Sequence, residues 1–207
     1  MKIKVCGMRD ADNIRELSAL QPDYIGFIFY PQSKRYAGEI EVRILAEIPL
    51  QIKKTGVFVN EAPQIIMGKI TLYNLQAVQL HGEESPAVCS QIKESGAEVI
   101  KAFGIDEHFD FGLLNAYINV VDYFLFDTKT PGHGGSGKVF NWKLLDGYTL
   151  NKPFFLSGGL SPENSEELAK ITDARLYAAD LNSGFEILPG LKNIKELEKT
   201  INILRNE

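Results

Sequence analysis

Eight short apolar segments alternate with eight helix-like segments along this chain of 207 residues. The apolar segments are dense in Val, Ile, Phe and Tyr and do not alternate strictly with polar residues, which is typical of strands covered on both faces. The predicted strands are KIKVC (2–6), DYIGFIF (23–29), KKTGVFV (53–59), LQAVQL (75–80), EVIKAF (98–103), DYFLFD (122–127), KPFFLS (152–157) and RLYAAD (175–180). The predicted helices are 10–20, 39–48, 61–73, 84–95, 107–118, 141–146, 161–172 and 193–205. This order favours an α/β protein with one (β/α)₈ barrel domain over residues 1–207, and a doubly wound open sheet is the rival.

The composition narrows the functional classes. A net charge of -5, with no Lys/Arg cluster, argues against nucleic-acid and membrane-surface partners. The two cysteines, Cys6 and Cys89, and the lack of an apolar leader predict a reduced, cytoplasmic protein. His108 and His133 have no ligand-like spacing to Cys6, so no zinc site is predicted.

A glycine-rich stretch, DTKTPGHGGSGKVFNW (127–142), matches two nucleotide-binding patterns. It departs from a P-loop, because Val139 stands where Ser or Thr should follow the lysine and because Gly132 lies well beyond the predicted strand. It departs from the dinucleotide fingerprint, which belongs in an initial strand–helix–strand unit with an acidic residue further on. It is therefore interpreted either as a surface connection or as a mobile loop that closes over a site near Asp127.

Four reactive side chains follow predicted strands. In a parallel barrel the carboxyl ends of all the strands form the catalytic face. Cys6 ends the first strand, His81 follows the fourth and Asp127 ends the sixth. Arg35 lies in the loop after the second strand, where its guanidinium could hold a carboxylate by two parallel hydrogen bonds.

Each of these side chains also has a structural interpretation. A buried free cysteine such as Cys6 can simply fill the core. Asp127 could cap a turn or pair with Lys129. His81 could be a hydrogen-bonded structural residue beneath the mouth, and Arg35 could be a solvated surface charge.

Glycine-rich turns follow the seventh and eighth predicted strands, as SGGL (157–160) and DLNSG (180–184). Such turns present backbone N–H groups where barrels commonly bind phosphate. The alternative is that Gly158 and Gly159 only make a tight turn.

Motifs from residue 4 to residue 186 together resemble the phosphoribosylanthranilate isomerases, a family of tryptophan biosynthesis. The matching segments are KVCGM, GFIFYPQSKRY, GVFVN, VQLHGEE, LFD, GGSGKVFNW, LSGGLSPEN and DLNSGFE. The resemblance implies a cofactor-free (β/α)₈ barrel that performs an Amadori rearrangement on a small phosphorylated substrate. It implies that Cys6 is the general base and Asp127 the general acid. The expected substrate-binding residues are Arg35, which would contact the anthranilate portion, His81, Gly158, Gly159, Asp180, Asn182 and Ser183.

Two segments depart from the family pattern. The loop after the sixth strand is usually close to GGTGK, whereas this chain places His133 and Ser136 there. The motif after the eighth strand often reads DVSSGVE, whereas this chain has Asn182 and Phe185. Neither departure touches the expected acid–base pair.

The implied chemistry requires opposite ionisation states of the two catalytic groups. We therefore expect an environment that raises the pKa of Asp127 and lowers the pKa of Cys6. The rival functions are a histidine-pathway sugar isomerase, which usually relies on two aspartates, an inactive phosphosugar-binding or docking protein, and a thiol-dependent covalent enzyme. The sequence is compatible with a monomer or a homodimer.

Overall fold

The strands form a closed eight-stranded parallel barrel. The structure, a computed structural model, describes residues 1–128 and 141–206. Neighbouring strands pair in the order β1 to β8, and the first strand pairs with the last, for example Lys2 with Ala178. The strands are β1 (Lys2–Cys6), β2 (Tyr24–Ile28), β3 (Lys53–Phe58), β4 (Ala77–Leu80), β5 (Glu98–Ile105), β6 (Tyr123–Thr128), β7 (Phe154–Leu156) and β8 (Leu176–Leu181). The predicted barrel and all eight of its strands are confirmed.

Six α-helices surround the barrel within the described ranges. They are α1 (Ala11–Ala19), α2 (Val42–Ala46), α3 (Pro63–Tyr73), α4 (Pro86–Lys93), α5 (Ser165–Ala169) and α6 (Ile194–Arg205). Cys89 is fully buried in α4. None of the helices in residues 1–128 and 141–206 is long and apolar enough to cross a bilayer.

Two predicted helices, 107–118 and 141–146, are 3₁₀ segments instead. They cover Phe111–Ala116 and Trp142–Gly147. At the start of each, a side chain accepts a backbone hydrogen bond from two residues further on: Asp110 from Gly112 and Asn141 from Lys143. This local bonding competes with an α-helical turn and favours the tighter one.

A short hairpin after β8 was not predicted. It consists of β9 (Glu186–Leu188) and β10 (Leu191–Lys192), which pair antiparallel. Gly190 turns the chain between them with a φ of 85°, a conformation that favours glycine. The hairpin carries two charged residues that become part of the site described below.

The amino-terminal end of the barrel is closed by aromatic rings. Tyr24, Tyr123, Phe155 and Tyr177, which we call the aromatic floor, pack with centroid separations from 4.5 to 6.4 Å. The hydroxyl of Tyr24 donates to Glu98 at 3.0 Å, so its polar tip is satisfied. The floor fills one end of the barrel and leaves the carboxyl ends of the strands for chemistry.

Candidate active site

Cys6 lies at the end of β1 with its side chain inside the barrel mouth. It is 3% exposed and pairs in register with Gly26 of β2. A Cβ atom at position 26 would lie 2.7 Å from the Cys6 sulfur, so glycine is what leaves room for the thiol. The missing side chain of Gly26 in β2 therefore leaves the space that the Cys6 thiol occupies.

The pKa of Cys6 is raised, which contradicts the expected lowering. Burial is the main cause; the ammonium of Lys4 acts in the opposite direction, Asp180 raises the pKa further and Lys192 lowers it. Two nearby cations thus fail to outweigh the cost of desolvating a thiolate. The thiol is the majority form of Cys6 at neutral pH.

The carboxyl of Asp127 has the expected upward shift, to a pKa of about 6. Burial is again the main cause, and the side chain lies at the carboxyl end of β6 with the residue only 8% exposed. The backbone N–H of Thr128 donates to Oδ1 at 2.7 Å and opposes the shift, as does Lys4, whereas Asp180 adds to it. A carboxyl with this pKa is partly protonated near neutral pH, as a general acid requires.

A continuous set of polar contacts crosses the barrel mouth, and we call it the interior polar chain. Lys4 Nζ donates to Asp180 Oδ2 and to Gln79 Oε1, both at 2.7 Å. Gln79 Nε2 lies 2.8 Å from His81 Nδ1, and His81 Nε2 lies 3.6 Å from Asp127 Oδ2. The structure therefore places the predicted residue His81 beside the candidate acid.

Sequence reasoning missed Lys4 and Gln79. Lys4 precedes Cys6 by two positions and Gln79 precedes His81 by two, so each pair points to the same face of its strand. Polar residues at inward positions of otherwise apolar strands were the available signal.

Asp180 lies in β8 inside the barrel, not in the loop after it. It is 4% exposed, and its Oδ2 binds Lys4 while its Oδ1 has no hydrogen-bond partner among the described residues. The side chain of Asp180 is therefore committed to Lys4, and the expected role of Asp180 in substrate binding, which rests largely on backbone groups, stays a prediction. A buried carboxylate held by a cation would also repel an anionic ligand.

Arg35 is held by a carboxylate of this chain. Its Nε donates to both oxygens of Glu186 at 2.8 and 2.9 Å, and its Nη2 donates at 2.7 Å. Lys192 Nζ donates to the same carboxylate at 2.7 Å and to Asn182 Oδ1 at 2.8 Å. Burial alone would raise the pKa of Glu186, but Arg35 and Lys192 hold it below its ordinary value.

Glu186 and Lys192 were also missed, because both belong to the unpredicted hairpin. Glu186 is the last residue of the DLNSGFE segment and was within reach of the motif analysis. Lys192 had no sequence signal. Its ammonium also influences Cys6, so the hairpin joins the Arg35 side of the mouth to the thiol side.

The turns after β7 and β8 lie against each other. Gly158 and Gly159 have φ values of 85° and 67°. A Cβ at Gly158 would come within 2.7 Å of Asp127 Oδ1, and one at Gly184 would collide with the backbone oxygen of Leu160. Glycine is therefore required for close packing here, beyond its use in a tight turn.

Backbone donors remain available in these two turns. Within residues 1–128 and 141–206, no hydrogen bond is formed by the N–H groups of Gly159, Ser183 and Gly184. Three such N–H groups on adjoining turns suit a phosphate group.

Most of the glycine-rich stretch, 127–142, lies outside the residues that the structure describes. Gly132, Gly134 and Gly137 fall in that segment, and so do Lys129 and His133. The loop interpretation stays a prediction.

Comparison with known proteins was made by family, by sequence and by structure. A family model described as N-(5'phosphoribosyl)anthranilate (PRA) isomerase matches residues 3–203. A relative from Parabacteroides distasonis, an N-(5'-phosphoribosyl)anthranilate isomerase, is 48% identical over 203 residues, which cover 97% of this chain and 92% of the relative.

Solved structures agree with the sequence comparisons. The phosphoribosyl anthranilate isomerase of Thermotoga maritima is 36% identical, with a TM-score of 0.86 over 100% of both chains. A phosphoribosyl anthranilate isomerase in complex with reduced 1-(o-carboxyphenylamino)-1-deoxyribulose 5-phosphate is 32% identical, with a TM-score of 0.83 over 100% of both chains.

Proposed function

This chain belongs to the N-(5'-phosphoribosyl)anthranilate isomerase family, and on that premise we propose that Cys6 is its general base and Asp127 its general acid. The protein is an isomerase of tryptophan biosynthesis that converts N-(5'-phosphoribosyl)anthranilate into 1-(o-carboxyphenylamino)-1-deoxyribulose 5-phosphate. The net change is an Amadori rearrangement of an aminoaldose into an aminoketose.

The reaction needs two proton transfers. Protonated Asp127 donates to the ribose ring oxygen while the C1–O bond breaks, and the electron pair of the anthranilate nitrogen forms the imine. The Cys6 thiolate then takes the proton from C2, and the freed electron pair gives an enolamine that tautomerises to the ketone. Each group changes its protonation state once.

The observation that carries this proposal is the shared surroundings of the two groups. The charges of Lys4 and Asp180 influence both Cys6 and Asp127, so all four belong to one buried cluster at the barrel mouth. The charges of Lys4 and Asp180 offset each other, so the cluster holds one negative charge throughout, on Cys6 before the two transfers and on Asp127 after them.

Substrate binding follows from the remaining contacts. The turns with Gly158, Gly159, Asn182 and Ser183 would hold the phosphate through backbone N–H groups. Arg35 would contact the anthranilate carboxylate through the guanidinium donors that Glu186 leaves unused. Glu186 then acts as the support that aims the guanidinium.

The first test is the rate of fluorescence loss from freshly made phosphoribosylanthranilate. Cys6→Ala and Asp127→Asn should each lower kcat by about 10²- to 10⁴-fold, because each removes one acid–base group. Cys89→Ala is the matched control, since it removes the other buried thiol, on α4. Wild-type turnover in either mouth variant would refute the assignment, and a trapped Cys6 adduct would favour the covalent rival.

The second test is the pH dependence of kcat/KM. The reacting form has protonated Asp127 and thiolate Cys6, and the majority form has carboxylate Asp127 and thiol Cys6. Both forms hold one proton between the two groups, so their ratio does not change with pH. We therefore expect a bell that rises near pH 6, the pKa of Asp127, and falls above the ordinary thiol value. Asp127→Asn should lose the rise near pH 6 and gain activity continuously until the thiol has titrated.

A further inference from the structure

Gln79 has a position that the proposed acid–base reaction does not by itself explain. Its side chain lies inside the barrel at the carboxyl end of β4, and the residue is 1% exposed. One end of its amide is 2.7 Å from Lys4 Nζ, and the other end is 2.8 Å from His81 Nδ1. The amide therefore bridges a cation and the ring next to Asp127.

The direction of this amide is fixed by its charged neighbour. An ammonium group has three donors and no acceptor, so the amide atom that contacts Lys4 must be the oxygen. Burial opposes the charge of Lys4, but Asp180 and Cys6 hold its pKa above the ordinary value, so it stays protonated at neutral pH. The amide nitrogen, which only donates, is then the atom that faces His81.

That direction determines which nitrogen of His81 carries the proton. Because Gln79 Nε2 donates, His81 Nδ1 must accept and has no proton of its own. A neutral imidazole has one N–H, which is consequently on Nε2. This is the nitrogen that lies 3.6 Å from Asp127 Oδ2.

We propose that Gln79 is a positioning residue that holds His81 as the Nε2–H tautomer facing Asp127, and that Lys4 fixes the direction of Gln79. The link to catalysis rests on the proposed role of Asp127 as the acid. When Asp127 gives its proton to the ring oxygen, negative charge develops on its carboxyl group. The Nε2–H of His81 supplies a prearranged donor for that charge, and a small rotation of either side chain shortens the 3.6 Å separation to a hydrogen bond.

The tautomer can be measured without any turnover. In full-length protein labelled with ¹⁵N at histidine, the ring nitrogens of His81 are identified by their loss in a His81→Asn variant. At pH 7.5 we expect an unprotonated Nδ1 and a protonated Nε2. A wild-type protein with protonated Nδ1 overturns the proposal, and the His81→Asn variant is needed only to assign the signals.

Gln79→Glu tests the direction of this hydrogen bond. It keeps the size of the side chain but replaces the donor nitrogen that faces His81 with an acceptor oxygen. One carboxylate oxygen still accepts from Lys4, but the other can no longer donate to His81. We expect Nδ1 to gain the proton and donate to the new carboxylate, so that the lone pair of Nε2 faces Asp127. Gln76→Glu is the matched control, since Gln76 precedes the same strand at the opposite end of the barrel and contacts Asn74 and Lys54.

The kinetic readout separates positioning from a purely structural role. The lost donor should lower kcat of Gln79→Glu by about 10- to 100-fold with little change in KM, the effect expected for a hydrogen bond to a charged group. Wild-type kcat in this variant, together with ¹⁵N shifts that show Nε2 without a proton, overturns the positioning role. An Asp127→Asn variant with wild-type turnover would instead refute the proposed function and leave the tautomer result unaffected.

Discussion

The two ends of the barrel bury polar atoms in opposite ways. At the mouth, the interior polar chain puts ionisable groups against one another, and the pKa values of Cys6 and Asp127 are both raised by burial. At the aromatic floor, the tyrosine rings are packed edge to face or stacked, and Tyr24 places its hydroxyl on Glu98. Burial at the mouth disfavours the ionised forms of Cys6 and Asp127. Burial at the floor packs aromatic rings together and so stabilises the folded state.

This difference predicts a division of labour along the barrel axis. Catalytic groups held in unfavourable states cost stability, which the rest of the fold must supply. In barrels of this class, the carboxyl end of the strands carries activity and the amino end carries stability. Substitutions at the mouth should therefore change kcat most, and substitutions at the floor should change the free energy of unfolding most.

The strongest test is Asp127→Asn, which should separate activity from stability. We expect kcat to fall about 10²- to 10⁴-fold. Because the folded pKa of about 6 exceeds the ordinary 3.8, the carboxyl contributes most to stability below pH 4, and that contribution is lost as the pH rises through 6. The variant should therefore be more stable than wild type by about 1–3 kcal/mol at pH 7.5 and gain nothing at pH 4, as measured by urea unfolding at both pH values. Equal losses of activity and stability would break the comparison.

Phe155→Ala tests the opposite end. Phe155 is fully buried between Tyr24, Tyr123 and Tyr177. Removing its ring should lower the free energy of unfolding by about 3–5 kcal/mol. Turnover per folded molecule should stay at the wild-type value at a temperature where the variant remains folded. A lower kcat under those conditions would show that the floor also shapes the site.

Glu186→Gln should have the opposite effect on stability to Asp127→Asn, although both residues lie at the mouth. The change leaves Arg35 and the buried Lys192 without their shared carboxylate, so the free energy of unfolding should fall by about 3 kcal/mol. The lowered pKa of Glu186 means that its contribution is present above the ordinary value of 4.5 and is lost as the pH falls, the reverse of Asp127. KM should rise more than kcat falls, because the guanidinium loses its aim. Unfolding curves at several pH values and steady-state kinetics would test both statements.

The smallest expected effect is that of Tyr24→Phe. The change removes one hydroxyl that donates to Glu98 and keeps the ring contacts with Phe155 and Tyr177. The loss should be about 1 kcal/mol of unfolding free energy, with unchanged kinetics. A stability loss as large as that of Phe155→Ala would mean that the floor depends on its polar tips more than on ring packing.

The sequence predicted the barrel well, because strand identity depends on apolar segments that recur in order. It also located Cys6 and Asp127, which lie at strand ends, and Arg35, which lies in the loop after β2. It did not predict that burial would raise the pKa of Cys6, because that value depends on how closely Lys4 and Lys192 approach the sulfur.

Partnerships between distant residues were beyond sequence reasoning. Lys4 and Asp180 are 176 positions apart and pair only because β1 closes the barrel against β8. Arg35 meets Glu186 through a hairpin of two short strands, whose lengths are too small for a periodic signal. The helix errors have a local cause, since single Asp and Asn side chains tightened the turns at 111–116 and 142–147.

The clamp between Arg35 and Glu186 has a consequence for the protein while it is still being made. Its two partners are separated by 151 positions, and Lys192, which braces the same carboxylate, comes later still. When only the first seven strands have left the ribosome, Cys6, Arg35 and Asp127 are already outside. The strand β8, which closes the barrel by pairing with β1, and the carboxylate that binds Arg35 are still missing. The nascent chain therefore acquires a complete mouth only near the end of translation, and a stalled fragment that stops before residue 186 should have no ordered Arg35 to offer a substrate.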